Sequence, residues 1–132
     1  MKLITRDTDY ALRALCFIAK HKKEIISVDR LAEESKIPRP FLRKILQKLN
    51  RAGILKSYKG QGGGFILLIP IHKIFLLNLI KIFQGRLQLN ECFFKKKICP
   101  NIKICKLRKK IDNIEKYVIS QLKNFSLADL LK

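Results

Sequence analysis

Gly60-Gln-Gly-Gly-Gly64 is the segment that most restricts how this chain can fold. Four glycines in five residues, set between two β-prone runs at 54–59 and 65–69, predict a hairpin whose tip is almost bare of side chains. A nucleotide-phosphate loop is the rival reading of such a run. It fails because no Gly-Lys-Ser/Thr follows, and because the residues after it read as a strand rather than a helix.

Upstream of the hairpin, helical periodicity occurs three times. Residues 8–20 carry Ala11, Leu12, Leu15, Ile18 and Ala19 at helical spacing, with Thr8 expected as N-cap and Cys16 as a small core residue. Ser27 opens a short second helix to Lys36, with Asp29 in its first turn and Leu31 and Ala32 facing inward; Ile37 and Pro38 end it. Pro40 suits the first turn of a third helix, which Gly53 closes and whose inner stripe is Phe41, Leu42, Ile45, Leu46 and Leu49. Its other face reads Arg39, Arg43, Lys44, Gln47, Lys48 and Arg51.

Two helices joined by a tight turn, the second with a basic, amide-bearing face, form the helix-turn-helix pattern, in which the second helix enters a DNA major groove N-terminus first. Arg39, Arg43 and Gln47 are the candidate base readers, with Pro40 and Lys44 beside them. Taken alone, this helix reads equally well as an amphipathic helix with a solvated charged face. The hairpin behind it tilts the balance toward recognition. Gly60, Gly62 and Gly63 let backbone approach phosphate or a minor groove, while Lys56, Tyr58 and Lys59 can reach the sugar-phosphate chain.

Pro70 leads into a predicted fourth helix at 71–83, with Ile74, Leu77 and Ile80 on one face, an exposed His72 at its start and Gly85 after its end. Residues 86–104 show little periodicity. From Cys105 a helical pattern resumes through Leu107, Ile111, Ile114, Val118, Leu122 and Phe125. Twenty such residues make a helix about 30 Å long, with an apolar seam that one small domain cannot fully cover. A homodimer is its expected use, with two reading helices about 34–36 Å apart on a pseudo-palindromic site. A helix folded back onto its own domain is the alternative.

Charge points the same way. Against 10 acidic residues the chain has 29 basic ones, a formal +19, which favours a polyanionic partner such as nucleic acid. The excess is spread evenly, with 15 basic and 6 acidic residues in 1–70 and 14 and 4 in 71–132, so it does not locate the contact. A codon-biased genome would also enrich lysine. Arg6, Asp7, Asp9 and Arg13 interrupt any signal-peptide run, and the longest apolar stretch, 65–71, is too short to cross a bilayer. A cytoplasmic protein with no membrane partner is expected. In a reducing compartment its four cysteines belong to metal or redox chemistry rather than to disulfides.

Cys92, Cys99 and Cys105 are separated by six and then five residues, wider than the two-to-four-residue gaps of most zinc sites. An iron-sulfur cluster, four-iron or two-iron, fits better. Lys95, Lys96, Lys97, Lys103, Lys106 and Arg108 crowd these sulfurs, and nearby cations favour the thiolate form that ligates iron. Three thiols are one short of the usual four ligands. A weaker fourth ligand leaves one iron easy to displace, which suits sensing better than electron transfer.

The expected architecture is mainly α with a small β-hairpin: a winged helix-turn-helix over 1–84, a cysteine cluster-binding loop over 85–104, and a dimerisation helix with a C-terminal tail over 105–132. Thr8-Asp-Tyr-Ala-Leu-Arg13, Ile37-Pro-Arg-Pro-Phe-Leu42, Ala52-Gly-Ile-Leu, Ser57-Tyr-Lys-Gly-Gln-Gly-Gly-Gly-Phe65 and the three cysteines after them together resemble the iron-sulfur winged-helix repressors typified by IscR and NsrR, the Rrf-two family. The resemblance spans the whole chain. It implies homodimeric regulators that bind promoter DNA through the third helix and the wing, with affinity or specificity set by cluster occupancy. It also implies a fourth ligand: in NsrR-like relatives the aspartate of the Thr-Asp motif, matched here by Asp9, comes from the partner subunit. The chain departs from the family pattern twice. Its first cysteine gap is six residues where five is common, and Arg108 stands where the IscR-like subgroup has histidine.

The alternative function is a cluster-free winged-helix regulator controlled by thiol oxidation or a bound partner protein. Catalysis is not expected. No Ser-His-Asp set, metallohydrolase motif or cofactor loop is present, and two histidines offer little acid-base chemistry.

Overall fold

The computed structural model describes residues 2–89 and 106–131. In chain order the elements are α1 (Arg6–Lys20), α2 (Val28–Ser35), α3 (Arg39–Arg51), β1 (Leu55–Tyr58), β2 (Gly64–Leu67), a 3-10 turn (Ile71–Lys73), α4 (Leu76–Gln84), α5 (Lys106–Lys123) and α6 (Leu127–Leu130). The fold is mainly helical with one antiparallel hairpin, paired from Leu55↔Leu67 to Tyr58↔Gly64.

The apolar stripes read from the sequence converge on one core. Leu15 and Ile18 of α1, Leu31 of α2, and Leu42, Leu46 and Leu49 of α3 are all fully buried. Ser27 caps α2, its hydroxyl accepting the Arg30 N–H at 3.1 Å. The helix ends at Lys36, which turns the chain into α3 with a left-handed φ of 56°. Ile26 joins the sheet through a two-way bridge to Phe65, with N–O distances of 3.0 and 2.9 Å. The hairpin is thereby fixed to the α1–α2 connection.

Four expectations are corrected. Thr8 is not an N-cap: α1 begins at Arg6 after Thr5, and Thr8 is wholly buried in its first turn. Its hydroxyl donates instead to Gln84 Oε1 at 2.6 Å, a partner 76 positions away. Phe41 is not on the inner stripe but 37% exposed, covered by the Arg6 guanidinium 4.4 Å from the ring centroid. The helix expected at 71–83 is broken, because Ile74 and Phe75 pair with the chain entering α6: the Leu127 N–H donates to the Ile74 carbonyl at 2.7 Å and the Leu76 N–H to the Phe125 carbonyl at 2.9 Å. Phe125 consequently lies beyond the end of α5.

The C-terminal helices rest on α4. Leu77 and Ile80 of α4 form a second cluster with Leu87, and Val118, Ile119 and Leu122 of α5 pack against it. Helix α6 opens with a reciprocal capping box between Ser126 and Asp129. Among the described residues, no helix is long and apolar enough to cross a membrane.

Candidate nucleic-acid interface

Helix α3 has five basic residues and no acidic one. Pro38 precedes it in extended conformation, and proline in its first turn removes an N–H that would have no helical partner. Its four buried leucine and isoleucine side chains lock one face to the core, and that fixes which residues look outward. Arg39, Arg43, Gln47 and Asn50 then follow one another at spacings of four, four and three on the exposed side. Lys44 lies beside them, also exposed.

Asp29 approaches Arg39 at 3.4 Å, but both side chains are more than half exposed, so this pair holds Arg39 weakly. Among the described residues no acidic side chain pairs with Arg43 or Lys44. Lys48 is diverted toward α4, its amine 5.7 Å from the Phe83 ring centroid.

The wing faces this stripe. Gln47 and Asn50 of α3 line an open groove with Ser57, Tyr58 and Lys59 of the wing and with Gly63. Asn50 and Ser57 were not singled out from the sequence, although Asn50 follows Gln47 by three residues and so shares its face. Lys56 and Tyr58 stand on the same side of β1, the amine 5.2 Å from the ring centroid. The tip is tight as well as bare. Gly60 and Gly62 have φ values of 88° and 77°, while a Cβ on Gly63 would strike the Tyr58 carbonyl and lie 2.8 Å from the Gly60 oxygen. Backbone can therefore approach a partner more closely here than at a side-chain-bearing turn.

The second expected site is only partly within view. Cys92, Cys99 and Cys105 lie outside the described residues, and among the described residues no group of three or more metal-binding side chains occurs. Both flanks of that stretch are described. On one side Leu87 is buried against α5, and the Leu89 N–H donates to Glu115 Oε1 at 3.1 Å. On the other, α5 starts with Lys106, Arg108, Lys109 and Lys110 and has no acid in its first turn. Cations at a helix N-terminus oppose the helix dipole, and a nearby anionic group offsets that cost. Arg108 also approaches Asp112 at 4.0 Å. Asp9 sits in the first turn of α1, 2.9 Å from Arg13, and both side chains are at least 43% exposed. Such a pair is worth under about 1 kcal/mol and exchanges readily for another partner. A soft-ligand cluster held by three thiolates with one accessible carboxylate is chemically consistent with these residues. Cys16 belongs to neither site: it packs against the core, and burial raises its thiol above the ordinary value, partly offset by the charge of Lys20.

Three helices, a basic outward stripe and a glycine-tipped hairpin define a winged helix-turn-helix transcriptional regulator. The chain belongs to the Rrf2 family of iron-dependent transcriptional regulators, whose family model matches residues 4–132. It is 28% identical over 134 aligned residues to the HTH-type transcriptional regulator NsrR of Bacillus subtilis, covering 100% of this chain and 91% of that one. It is 29% identical over 130 residues to Protein aau3 of Rhizobium meliloti, covering 98% and 84%. Among solved structures, T. potens IscR superposes with a TM-score of 0.75 at 23% identity, over 99% of this chain and 86% of that one. CymR, the global cysteine regulator of B. subtilis, superposes with a TM-score of 0.77 at 23% identity, over 98% and 96%. These two structures share the fold.

Proposed function

We propose that the protein is a homodimeric, cytoplasmic repressor that reads promoter DNA with α3 and the wing, and whose DNA affinity is set by an iron-sulfur cluster on Cys92, Cys99 and Cys105. Arg39, Arg43, Gln47 and Asn50 read base edges, with Pro40 and Lys44 at the groove wall. Lys56, Tyr58, Lys59, Gly60, Gly62 and Gly63 engage the sugar-phosphate backbone. Asp9 of the partner subunit is the fourth ligand.

The observation that supports the DNA reading most directly is the acid-free stripe on α3 facing the wing across one groove. Support for the dimer comes from α5, where Leu107 and Tyr117 are 69% and 66% exposed and Ile114 shares their side. Support for the cluster comes from three thiols between two anchored flanks, next to a cationic helix start. A bound cluster supplies a centre that reacts with oxygen or nitric oxide, and its loss would change the link between α4 and α5. Useful control needs a coupling of about 1–3 kcal/mol between the cluster and DNA.

Purification without oxygen, followed by iron, sulfide and visible-spectrum measurements and gel-shift titration of both forms against the gene's own upstream region, tests this reading. A brown protein whose two forms differ in DNA affinity is expected. A colourless protein with no iron after reconstitution would favour the second reading, control by thiol oxidation or a bound partner. The CymR-like fold and the existing Asp9–Arg13 pair are compatible with that reading.

A further inference from the structure

One carboxamide holds the first turn of α1. Gln84 Oε1 accepts the Thr5 N–H at 3.0 Å and the Thr8 hydroxyl at 2.6 Å, and Gln84 Nε2 donates to the Leu3 carbonyl at 3.1 Å. Thr5 makes no capping bond of its own, so Gln84 acts as the external cap of α1. The same turn of α1 carries Arg6, whose guanidinium covers Phe41 in the first turn of α3. Gln84 is also the last residue of α4, followed by Gly85 at φ 79° and standing eight positions ahead of Cys92 in sequence. A single side chain thus ties the end of α4 to the start of α1, and through Arg6 and Phe41 to the end of α3 that enters DNA.

We infer that Gln84 is a positioning residue for DNA reading: it fixes the N-terminal turn of α3 through Thr5, Thr8, Arg6 and Phe41, and it transmits changes at the end of α4 to that turn. The positioning role rests on the proposal that α3 reads DNA, and the transmitting role rests on the cluster reading as well. The contacts are directional. A shift of α4's last turn by about 1 Å would carry those donor–acceptor distances outside hydrogen-bonding range.

The test uses a duplex selected from a random library by the wild-type protein, and a scrambled duplex of the same length. Gln84→Ala is expected to weaken binding to the selected duplex by about fivefold or more, while binding to the scrambled duplex stays within about twofold. Gln84→Glu keeps both acceptor contacts, to Thr5 and Thr8, and is expected to recover most of the loss. Phe41→Ala combined with Gln84→Ala is expected to be no worse than the weaker-binding single variant, because both act along one line. Equal loss on both duplexes, or additive losses, would overturn the positioning role. Thr8→Val, similar in shape but lacking the hydroxyl, carries the same expectation should Gln84→Ala fail to fold.

In anaerobically reconstituted protein, Gln84→Ala is expected to keep its iron and colour while narrowing the affinity ratio between loaded and cluster-free forms. An unchanged ratio overturns the transmitting role. If wild type takes up no iron, the cluster reading fails and the transmitting role with it, while the two-duplex comparison still decides the positioning role.

Discussion

Gly64 lies so close to Ile26 that a Cβ on the glycine would run into the Ile26 carbonyl group, with the carbonyl carbon 2.6 Å away. The bridge between Ile26 and Phe65 leaves no room for either backbone to retreat. Gly64→Ala is therefore expected to cost about 1–3 kcal/mol, as overpacking does, and to weaken DNA binding by releasing the wing. Gly62→Ala has open space and meets only the backbone cost of φ 77°, about 1–2 kcal/mol. Urea midpoints of the two variants, with gel shifts, check this; equal DNA affinity for Gly64→Ala and wild type would show that the wing is not needed for binding.

On the proposed DNA face, the variants should sort by what they touch. Lys59→Ala is expected to weaken all sequences alike and to reduce the salt dependence by about one phosphate's worth. Arg43→Ala, Gln47→Ala and Asn50→Ala should each relax preference at one or two base pairs, for about 1–3 kcal/mol of lost discrimination. Titrations at several salt concentrations against a panel of single-base variants distinguish these patterns. A Gln47→Ala protein with unaltered preference would remove that residue from the reading set.

Helix α5 has a covered side and a bare side, and the two should respond differently. Leu107→Glu with Tyr117→Glu is expected to convert the protein to a monomer by sedimentation while the melting temperature of the head changes little. Leu122→Ala, which thins the packing on Leu77 and Ile80, should lower stability by about 2–3 kcal/mol. A dimer that survives both charged substitutions would assign the bare side some other use.

Lys36 pays for a left-handed turn that glycine adopts freely. Lys36→Gly is expected to raise stability by about 0.5–1 kcal/mol, the left-handed penalty less glycine's entropy in the unfolded chain. Calorimetry reads it directly, and a lowered melting temperature would mean that the lysine side chain contributes more than its backbone costs.

The half-buried Cys16 thiol holds its proton more tightly in the folded state than in the unfolded chain, where it has its ordinary value of 9.0. Its contribution to stability is thus full below that value and is lost as pH rises from there through the folded value. Wild type should lose stability above about pH 9 more steeply than Cys16→Ala, as compared by denaturant titration.

What could be read from the sequence was what repeats locally. The α3 stripe and its outward basic face follow from a period of 3.6 within thirteen residues, and the glycine-rich tip declares itself without any partner. The errors fell where a distant segment intervened. Thr8 looked like a cap because Gln84 is 76 positions away, and a continuous helix at 71–83 looked sound because nothing nearby reveals that residues 125–127 will take the Ile74 and Leu76 backbone. Phe41 met the helical period but sits at the helix start, beyond the core's reach. Asn50 is legible in the sequence, since it follows Gln47 by three residues and continues the exposed Arg39, Arg43, Gln47 row.

The length of that row carries a further consequence. From Arg39 to Asn50 the helix advances about 16 Å, which matches about five base pairs at roughly 3.4 Å each. A five-letter word recurs by chance about once per thousand base pairs, and genomes offer about 10⁶ or more competing sites. One head therefore lacks the information to find a promoter, whatever its affinity. In the proposed dimer, two α3 helices reading one word each would reach about one chance occurrence in a million, which would make the bare side of α5 as much a part of sequence recognition as any side chain in the groove.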